Sequence, residues 1–532
     1  MILKLLDRGE WSSFRLPKAS HAYDPAHGWY TEWPRIRETG QGRMLMDMHG
    51  MFYDFPKEFR TGRTNGLRPI ASHLRYIPDF CDWNGRLVLA ADDASMMQNP
   101  MVGQPQSNLW FGSWSDLPSF GPRSGWGGPW SADLVKANEP SDPFLIDGFD
   151  RRVLHLAHDS DRSVDFSLEI DAAGDGRWRE LETLAVPANG YRYRILDPAL
   201  EASWMRLRSS ADCRATAYFH LNSNRADDRA EGGRIAAGIA GAADRAALSA
   251  GLIRPAGHNT NLQFLARRFD ADGAGEAQVY YEVDERISFL RPAESRAEEV
   301  ERIACIAKDF ETDAASVVMV WQGRRYRLPK GGSAYDKPFA FGWPRGMREV
   351  QSERYLANIH GTFYEIPRDD GVPMIKPVCT HGKQIMDFCS WRGLLVLSGA
   401  LASARPDGRH FASEDRHVGL WFGAVDDLWI LGKPVGCGGP WKETPVLPGQ
   451  PSDPYLMTGY DRKRLLLSHD SPSAVAFLLE VDVDHNGWLP CETFAVEPGQ
   501  TIRHDFPEGF GAHWARLTAD KACAATAIFQ YE

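Results

Sequence analysis

The sequence predicts a mainly β protein: a β-propeller built from two tandem copies of one unit, with a mixed α/β insertion between them. Three observations lead there. The chain repeats itself, its strand-length runs are short and punctuated by turn residues, and it holds 18 Trp, 26 Phe and 16 Tyr beside 49 Gly and 34 Pro. Many short antiparallel strands leave many edges, and ring closure protects them, which favours a propeller. The alternative is a pair of domains that each contain a β-sandwich, and residues 141–222 have the strand spacing for one.

The duplication is direct. Residues 141–160 read SDPFLIDGFDRRVLHLAHDS and residues 452–471 read SDPYLMTGYDRKRLLLSHDS, identical at 12 of 20 positions at an offset of 311. The same offset aligns His49-Gly-Met-Phe-Tyr with His360-Gly-Thr-Phe-Tyr, and Leu109-Trp-Phe-Gly with Leu420-Trp-Phe-Gly. Nearby offsets align Pro78-Asp-Phe-Cys-Asp-Trp with Met386-Asp-Phe-Cys-Ser-Trp and Trp204-Met-Arg-Leu with Trp514-Ala-Arg-Leu. Two copies of roughly 215 residues follow, 1–222 and 316–532. Within them, Arg86-Leu-Val-Leu-Ala, Asn108-Leu-Trp-Phe-Gly, Arg152-Val-Leu-His-Leu-Ala and Val164-Asp-Phe-Ser-Leu-Glu-Ile are strand-length. Asn84-Gly85 and Asp175-Gly176 are hairpin turn signals. Residues 223–315 have no counterpart. There, two strand-like runs, from Leu262 and from Val279, flank the turn Asp270-Ala-Asp-Gly, and Glu294 to Phe310 has helical spacing. This segment reads as a connector packed on the repeats, with a lid as the alternative.

Composition narrows the function. With 60 basic and 71 acidic residues the net charge is −11, which argues against nucleic acid or an anionic membrane surface as partner. No run reaches the length of a membrane span. Eight Cys in 532 residues make no disulfide framework, and none falls in a C-x-x-C pair. The first residues carry too short an apolar run for a signal peptide, so the protein is expected to be cytoplasmic, or exported with its signal removed. Phosphate-loop, H-E-x-x-H and G-x-S-x-G motifs are missing.

The strings HGTFYEIP (360–367), DFCSWRGLLVLSG (387–399) and SDPYLMTGYDRK (452–463) resemble a family of large, mostly uncharacterised bacterial proteins. That resemblance covers nearly the whole chain and implies a bacterial origin. The tandem, Trp-rich, His-bearing β architecture is also similar to propeller polysaccharide lyases, such as ulvan and rhamnosyl-glucuronate lyases, and to propeller glycosidases. It implies an oligosaccharide or polysaccharide substrate.

Four histidines recur in pairs, His49 with His360 and His73 with His381, and on a closed ring they would face one pocket. Tyr53 and Tyr364 follow four residues after His49 and His360, which in a strand puts each pair on one face. Such a pair suits β-elimination at a uronate, with one group removing the C5 proton and the other protonating the leaving oxygen. A cation must then neutralise the carboxylate, and Arg35, Arg345, Lys18 and Lys330 are candidates. His360, Tyr364 and His381 are the expected reacting groups, since the second copy keeps its spacing more compactly. Hydrolysis would need two carboxylates instead. The paired acids are Asp79 with Asp387, Glu38 with Glu349, and Asp24 with Asp336. Trp33, Trp343, Trp83 and Trp391 recur and either stack on sugar or fill the core, with Trp343 the candidate for substrate. Cys81 and Cys389 read as buried packing. No cofactor is expected; Asp482-Val-Asp-His-Asn-Gly has a calcium-loop spacing but lacks the closing Glu, so it reads as a hairpin turn. The chief rivals to a lyase are a glycoside hydrolase and a non-catalytic carbohydrate-binding or scaffold protein.

Overall fold

The computed structural model describes residues 1–21, 35–40, 42–91, 99–104, 108–225, 229–351, 354–368 and 371–532. The protein is mainly β, with 50% strand and 7% helix, distributed over many small sheets. No described helix is long and apolar enough to cross a membrane.

The two ends of each repeat come together. In the first, a six-stranded sheet runs in the order Ile2–Asp7, Glu10–Arg15, Phe144–Leu145, Trp204–Ser209, Val164–Asp171, Arg179–Val186. A four-stranded sheet of Ser124–Val135, Cys213–Asn222, Arg151–His158 and Tyr191–Ile195 shares one hydrophobic cluster with it, including Phe144, Leu154, Phe166, Trp204 and Phe219. The second repeat does the same with a seven-stranded sheet and the four strands Gly436–Val446, Cys523–Tyr531, Lys463–His469 and Thr501–Asp505. Tyr455, Leu465, Phe477, Trp514 and Phe529 fill its interior. Strict alternation explains the layering. Along Val475–Asp482 every second side chain is buried, so one face must find a partner sheet.

The middle of each repeat leaves this layered unit and forms two further sheets. Sheet I holds Arg35–Glu38, Met44–Met48, Met51–Phe55 and Arg68–Ser72; sheet II holds Phe80–Trp83, Arg86–Ala91 and Asn108–Gly112. Their counterparts are sheet IV (Met347–Gln351, Arg354–Ile359, Thr362–Pro367, Lys376–Thr380) and sheet V (Phe388–Trp391, Leu394–Leu397, Gly419–Gly423, His410–Ala412). The connector supplies sheet III from Phe289–Leu290, Val279–Val283, Leu262–Phe269 and Leu248–Pro255, completed by Ala400–Leu401 of the second repeat. The segment is therefore a sheet with its own partners.

Packing is pairwise. Leu45 and Phe52 of sheet I meet Phe80, Leu87 and Leu89 of sheet II. Leu356 and Phe363 of sheet IV meet Phe388, Leu395 and Leu397 of sheet V. Ile253, Phe264 and Tyr281 of sheet III cover Cys389, Trp391, Val396, Leu420 and Phe422 of sheet V. The other face of sheet III, at Leu252, Leu265 and Tyr280, is covered by Val300 and Ala304 of the helix Ala297–Ala304. Sheet IV carries a buried ion cluster that reaches the first repeat at Ser20. Arg354 Nε lies 3.0 Å and Lys376 Nζ 3.6 Å from the Glu365 carboxylate, and the Ser20 hydroxyl donates to Glu365.

Candidate functional site

The histidines chosen from the sequence stand in hairpin turns or in buried hydrogen bonds. His49-Gly50 and His360-Gly361 are the central residues of two-residue hairpins, closing Met48 on Met51 and Ile359 on Thr362. Their φ values are 50° and 51° for the histidines and 72° and 81° for the glycines, so all four are in the left-handed region that such turns require. His360 accepts from the Gly331 amide at 3.2 Å and lies 3.2 Å from Asp336 Oδ1. Burial lowers its pKa, against the opposing pull of Asp336. His73 Nε2 meets Asp47 Oδ1 at 2.9 Å and its Nδ1 meets the Arg75 carbonyl at 3.0 Å. At the equivalent place His381 Nε2 meets Asn358 Oδ1 at 2.9 Å, and its Nδ1 accepts from the Lys383 amide at 3.0 Å. Burial carries the His381 pKa down to about 3, so it is a neutral, doubly bonded ring.

The tyrosines do not complete a proton-transfer pair. Tyr53 and Tyr364 are both 0% exposed. Tyr53 donates to the Pro17 carbonyl at 2.7 Å and its pKa is raised by burial. Tyr364 lies in the second repeat's core, where burial pushes its pKa up to about 12. Each His stands in the turn before the strand that carries its Tyr, so the strand-face alignment expected from the spacing does not arise. His360, Tyr364, His381 and Tyr53 thus have no access to a polymer, and His73 is 2% exposed.

The expected cations are engaged too. Arg345 and Arg348 grip Asp387, which is 0% exposed, with Arg348 Nη1 3.2 Å from Oδ1. Their counterparts repeat the motif in the open: Arg37 Nε is 2.7 Å and Arg35 Nε 3.7 Å from Asp79 Oδ1. Asp79 and Asp387 also accept from the next residue's amide at 2.8 Å, as strand-opening aspartates do. Lys330 pairs with Asp336 at 3.0 Å, and Lys18 bridges Trp126 through its backbone. Glu38 pairs with Lys57 at 2.7 Å and Glu349 accepts from Asn99 at 2.7 Å. Trp343 rests against Phe310 beneath Lys308. Asp24 and Trp33 lie outside the described residues. In the Asp482 loop the carboxylates bond within and beside the loop: Asp482 Oδ1 accepts from the His485 amide at 2.7 Å, and Asp484 Oδ1 from that of Asn486 at 3.2 Å.

A different place gathers the chemistry. A cleft of about 660 Å³ lies between sheets II and V, lined by the same motif from both copies. Each Leu-Trp-Phe-Gly strand runs into a short 3-10 helix, Trp114–Ser119 or Val425–Leu431. Asp116 and Asp427 cap these helices, accepting from the Ser113 and Ala424 amides, both at 2.7 Å. Asp116, Asp426 and Asp427 line the cleft with Arg75, Arg409, Phe111, Phe120, Phe411 and Phe422. Arg75 Nε holds Asp426 at 2.7 Å, and Arg409 clasps Asp427.

The two copies differ in what covers them. On sheet V, the row Cys389, Val396, Phe422 and its neighbours Trp391 and Leu420 are buried under sheet III. On sheet II the equivalent row is Cys81, Val88, Phe111, flanked by Trp83 and Leu109. Here Trp83 is 56%, Leu109 54% and Phe111 40% exposed, whereas Trp391 and Phe422 are 2% and 3% exposed. Cys81 is exposed as well, contrary to the buried packing its flanks suggest; none of the eight cysteines is in a disulfide. Trp83 and Phe111 meet edge to face at 6.0 Å, and the Arg86 guanidinium stands 5.2 Å from the Phe111 ring centre. The repeated Leu-Trp-Phe-Gly and Asp-Phe-Cys-x-Trp strings were the signal for this site.

No protein-family model and no curated protein matches the chain. Among solved structures it is similar to the PBSX exported protein XepA, at 6% identity and a TM-score of 0.16 over 76% of this chain and 85% of that one. PirA matches at 11% identity and a TM-score of 0.12, over 18% of this chain and 83% of its own. An exo-beta-1,3-galactanase from Phanerochaete chrysosporium with galactose matches at 9% identity and a TM-score of 0.12, over 97% of this chain and 99% of that one. Scores this low assign neither a fold family nor an activity.

Proposed function

We propose that the chain handles a uronate-containing glycan, bound across the open face of sheet II and the cleft beside it. In this reading sheets II, I, IV, V and III follow one another as propeller blades, flanked by a β-sandwich from each repeat. The observation that carries the proposal is the aromatic face of Trp83 and Phe111, exposed beside a cleft of carboxylates and arginines. Aromatic faces stack on the C–H face of a sugar ring, while Asp and Arg bond its hydroxyls. Arg86 has no carboxylate partner among the described residues, so it takes the role of uronate-binding cation expected of Arg35 and Arg345. If cleavage accompanies binding, the cleft carboxylates Asp116 and Asp427 are the candidate acids for hydrolysis, the alternative to His/Tyr elimination.

Electrophoresis of the protein through gels containing uronate-bearing or neutral glycans, with mass and ultraviolet analysis of the incubated glycan, tests this. Retardation by a uronate-bearing glycan is expected. Products with added water and no new absorbance would establish hydrolysis, and an unchanged glycan would establish binding alone. New absorbance without water gain would restore elimination, and no retardation by any glycan would overturn the proposal.

A further inference from the structure

Sequence spacing gives no sign of a three-histidine site, because its residues come from three distant segments. His21 follows the second strand of the chain, His485 sits in the turn after Val475–Asp482, and His513 precedes Trp514–Ala519. One ring nitrogen of each lies within 4.8 Å of the other two. Ring centres are 4.3 Å apart for His485 and His513, 5.3 Å for His21 and His485, and 5.9 Å for His21 and His513. His21 and His513 are 5% and 1% exposed, and His485 is half-buried.

We propose that these three histidines bind one divalent transition metal, zinc first, that fastens the first repeat to the second. Neutral imidazole is the commonest ligand for such ions, and a tetrahedral zinc with N at about 2.0–2.1 Å sets its nitrogens about 3.3 Å apart. The rings therefore need to close by no more than about 1.5 Å.

The surroundings are those of a held site. His513 Nε2 donates to the Ile375 carbonyl at 3.1 Å, which leaves Nδ1 as the ligand atom. His485 Nδ1 lies 3.9 Å from Asp482 Oδ2, so a shift of under about 1 Å on metal binding would let this carboxylate accept from Nδ1 and orient the ring. The turn carrying His485 has a φ of 63° at that residue and is anchored on the first repeat, where Asn486 Nδ2 donates to Ser131 Oγ at 2.8 Å. Two more histidines of the first repeat support the loops from outside. His220 meets the Val483 carbonyl at 2.9 Å and His155 the Gly511 carbonyl at 2.8 Å. The Asp482 loop, which resembles a calcium loop in sequence, thus offers its histidine rather than its carboxylates.

Elemental analysis of untagged protein, and titration of chelator-treated protein with zinc alone and with cobalt alone, test the proposal. The expected result is one zinc per chain, a tetrahedral cobalt band in the visible, and a rise in melting temperature on zinc addition. His485→Gln should abolish all three, and Asp482→Asn should weaken zinc about 10- to 100-fold while leaving the fold intact. Absence of zinc uptake and of the cobalt band, or full retention of both in His485→Gln, would overturn it. If His485→Gln does not fold, Asp482→Asn decides, and unchanged zinc affinity there counts against the site.

Discussion

Phe111 and Phe422 occupy the same place in the two copies, one 40% and the other 3% exposed, and that difference makes their substitutions separable. Phe422→Ala empties a packed interface between sheets III and V and should cost about 3–5 kcal/mol in denaturant unfolding. Phe111→Ala exposes no core and should cost less than about 1 kcal/mol while removing glycan retention. A binding face on sheet V instead would reverse the second outcome. His381 supplies a second test at this scale. Its folded pKa, about 3, is far below the ordinary 6.5, so the unfolded chain takes up the proton first. Its contribution is complete above pH 6.5 and is lost as pH falls from there toward 3, up to about 4 kcal/mol. Melting measured between pH 7 and 4 should fall less steeply in His381→Asn than in the parent, and parallel curves would count against it.

The hairpins show how an element can decide what a residue is for. His-Gly at 49–50 and 360–361 stands where both residues need positive φ, and glycine satisfies the second position at no steric cost. Asn tolerates the first position and a β-branched residue does not. His49→Val should therefore lose about 1–2 kcal/mol and His49→Asn much less, with glycan handling unchanged in both. Loss of activity in the folded Asn variant would return His49 to the chemistry. The sequence showed the recurrence of these histidines clearly, but a turn and a catalytic strand end leave the same mark in it. The caps were hidden for a related reason. Asp116 and Asp427 follow the repeated Leu-Trp-Phe-Gly by the same spacing, and only the 3-10 helices show that this spacing places them in one cleft. Asp116→Ala should cost about 1 kcal/mol as a lost cap, and a cost near zero in denaturant titration would contradict that role.

At the scale of the whole molecule, duplication and strand content were legible because they are local, whereas partnership was not. Strand Glu10–Arg15 lies beside Phe144–Leu145, and the interval between them is spent on sheets I and II. The layered ends and the excursions between them are one continuous β pattern in sequence. Ala400–Leu401 completes sheet III across the expected boundary at 316. Trp83 and Trp391 share the string Asp-Phe-Cys-x-Trp, yet only the second is covered, because one unduplicated connector cannot cover both copies of a duplicated face. That broken symmetry is the basis of the proposed function.

Its most direct test is the electrophoretic mobility of the parent, Trp83→Ala and Phe111→Ala through gels containing the best-retained glycan, alongside their melting curves. The account predicts that both variants melt as the parent does and run unretarded. Variants that stay as strongly retarded as the parent would contradict it, and would place the glycan elsewhere on the molecule.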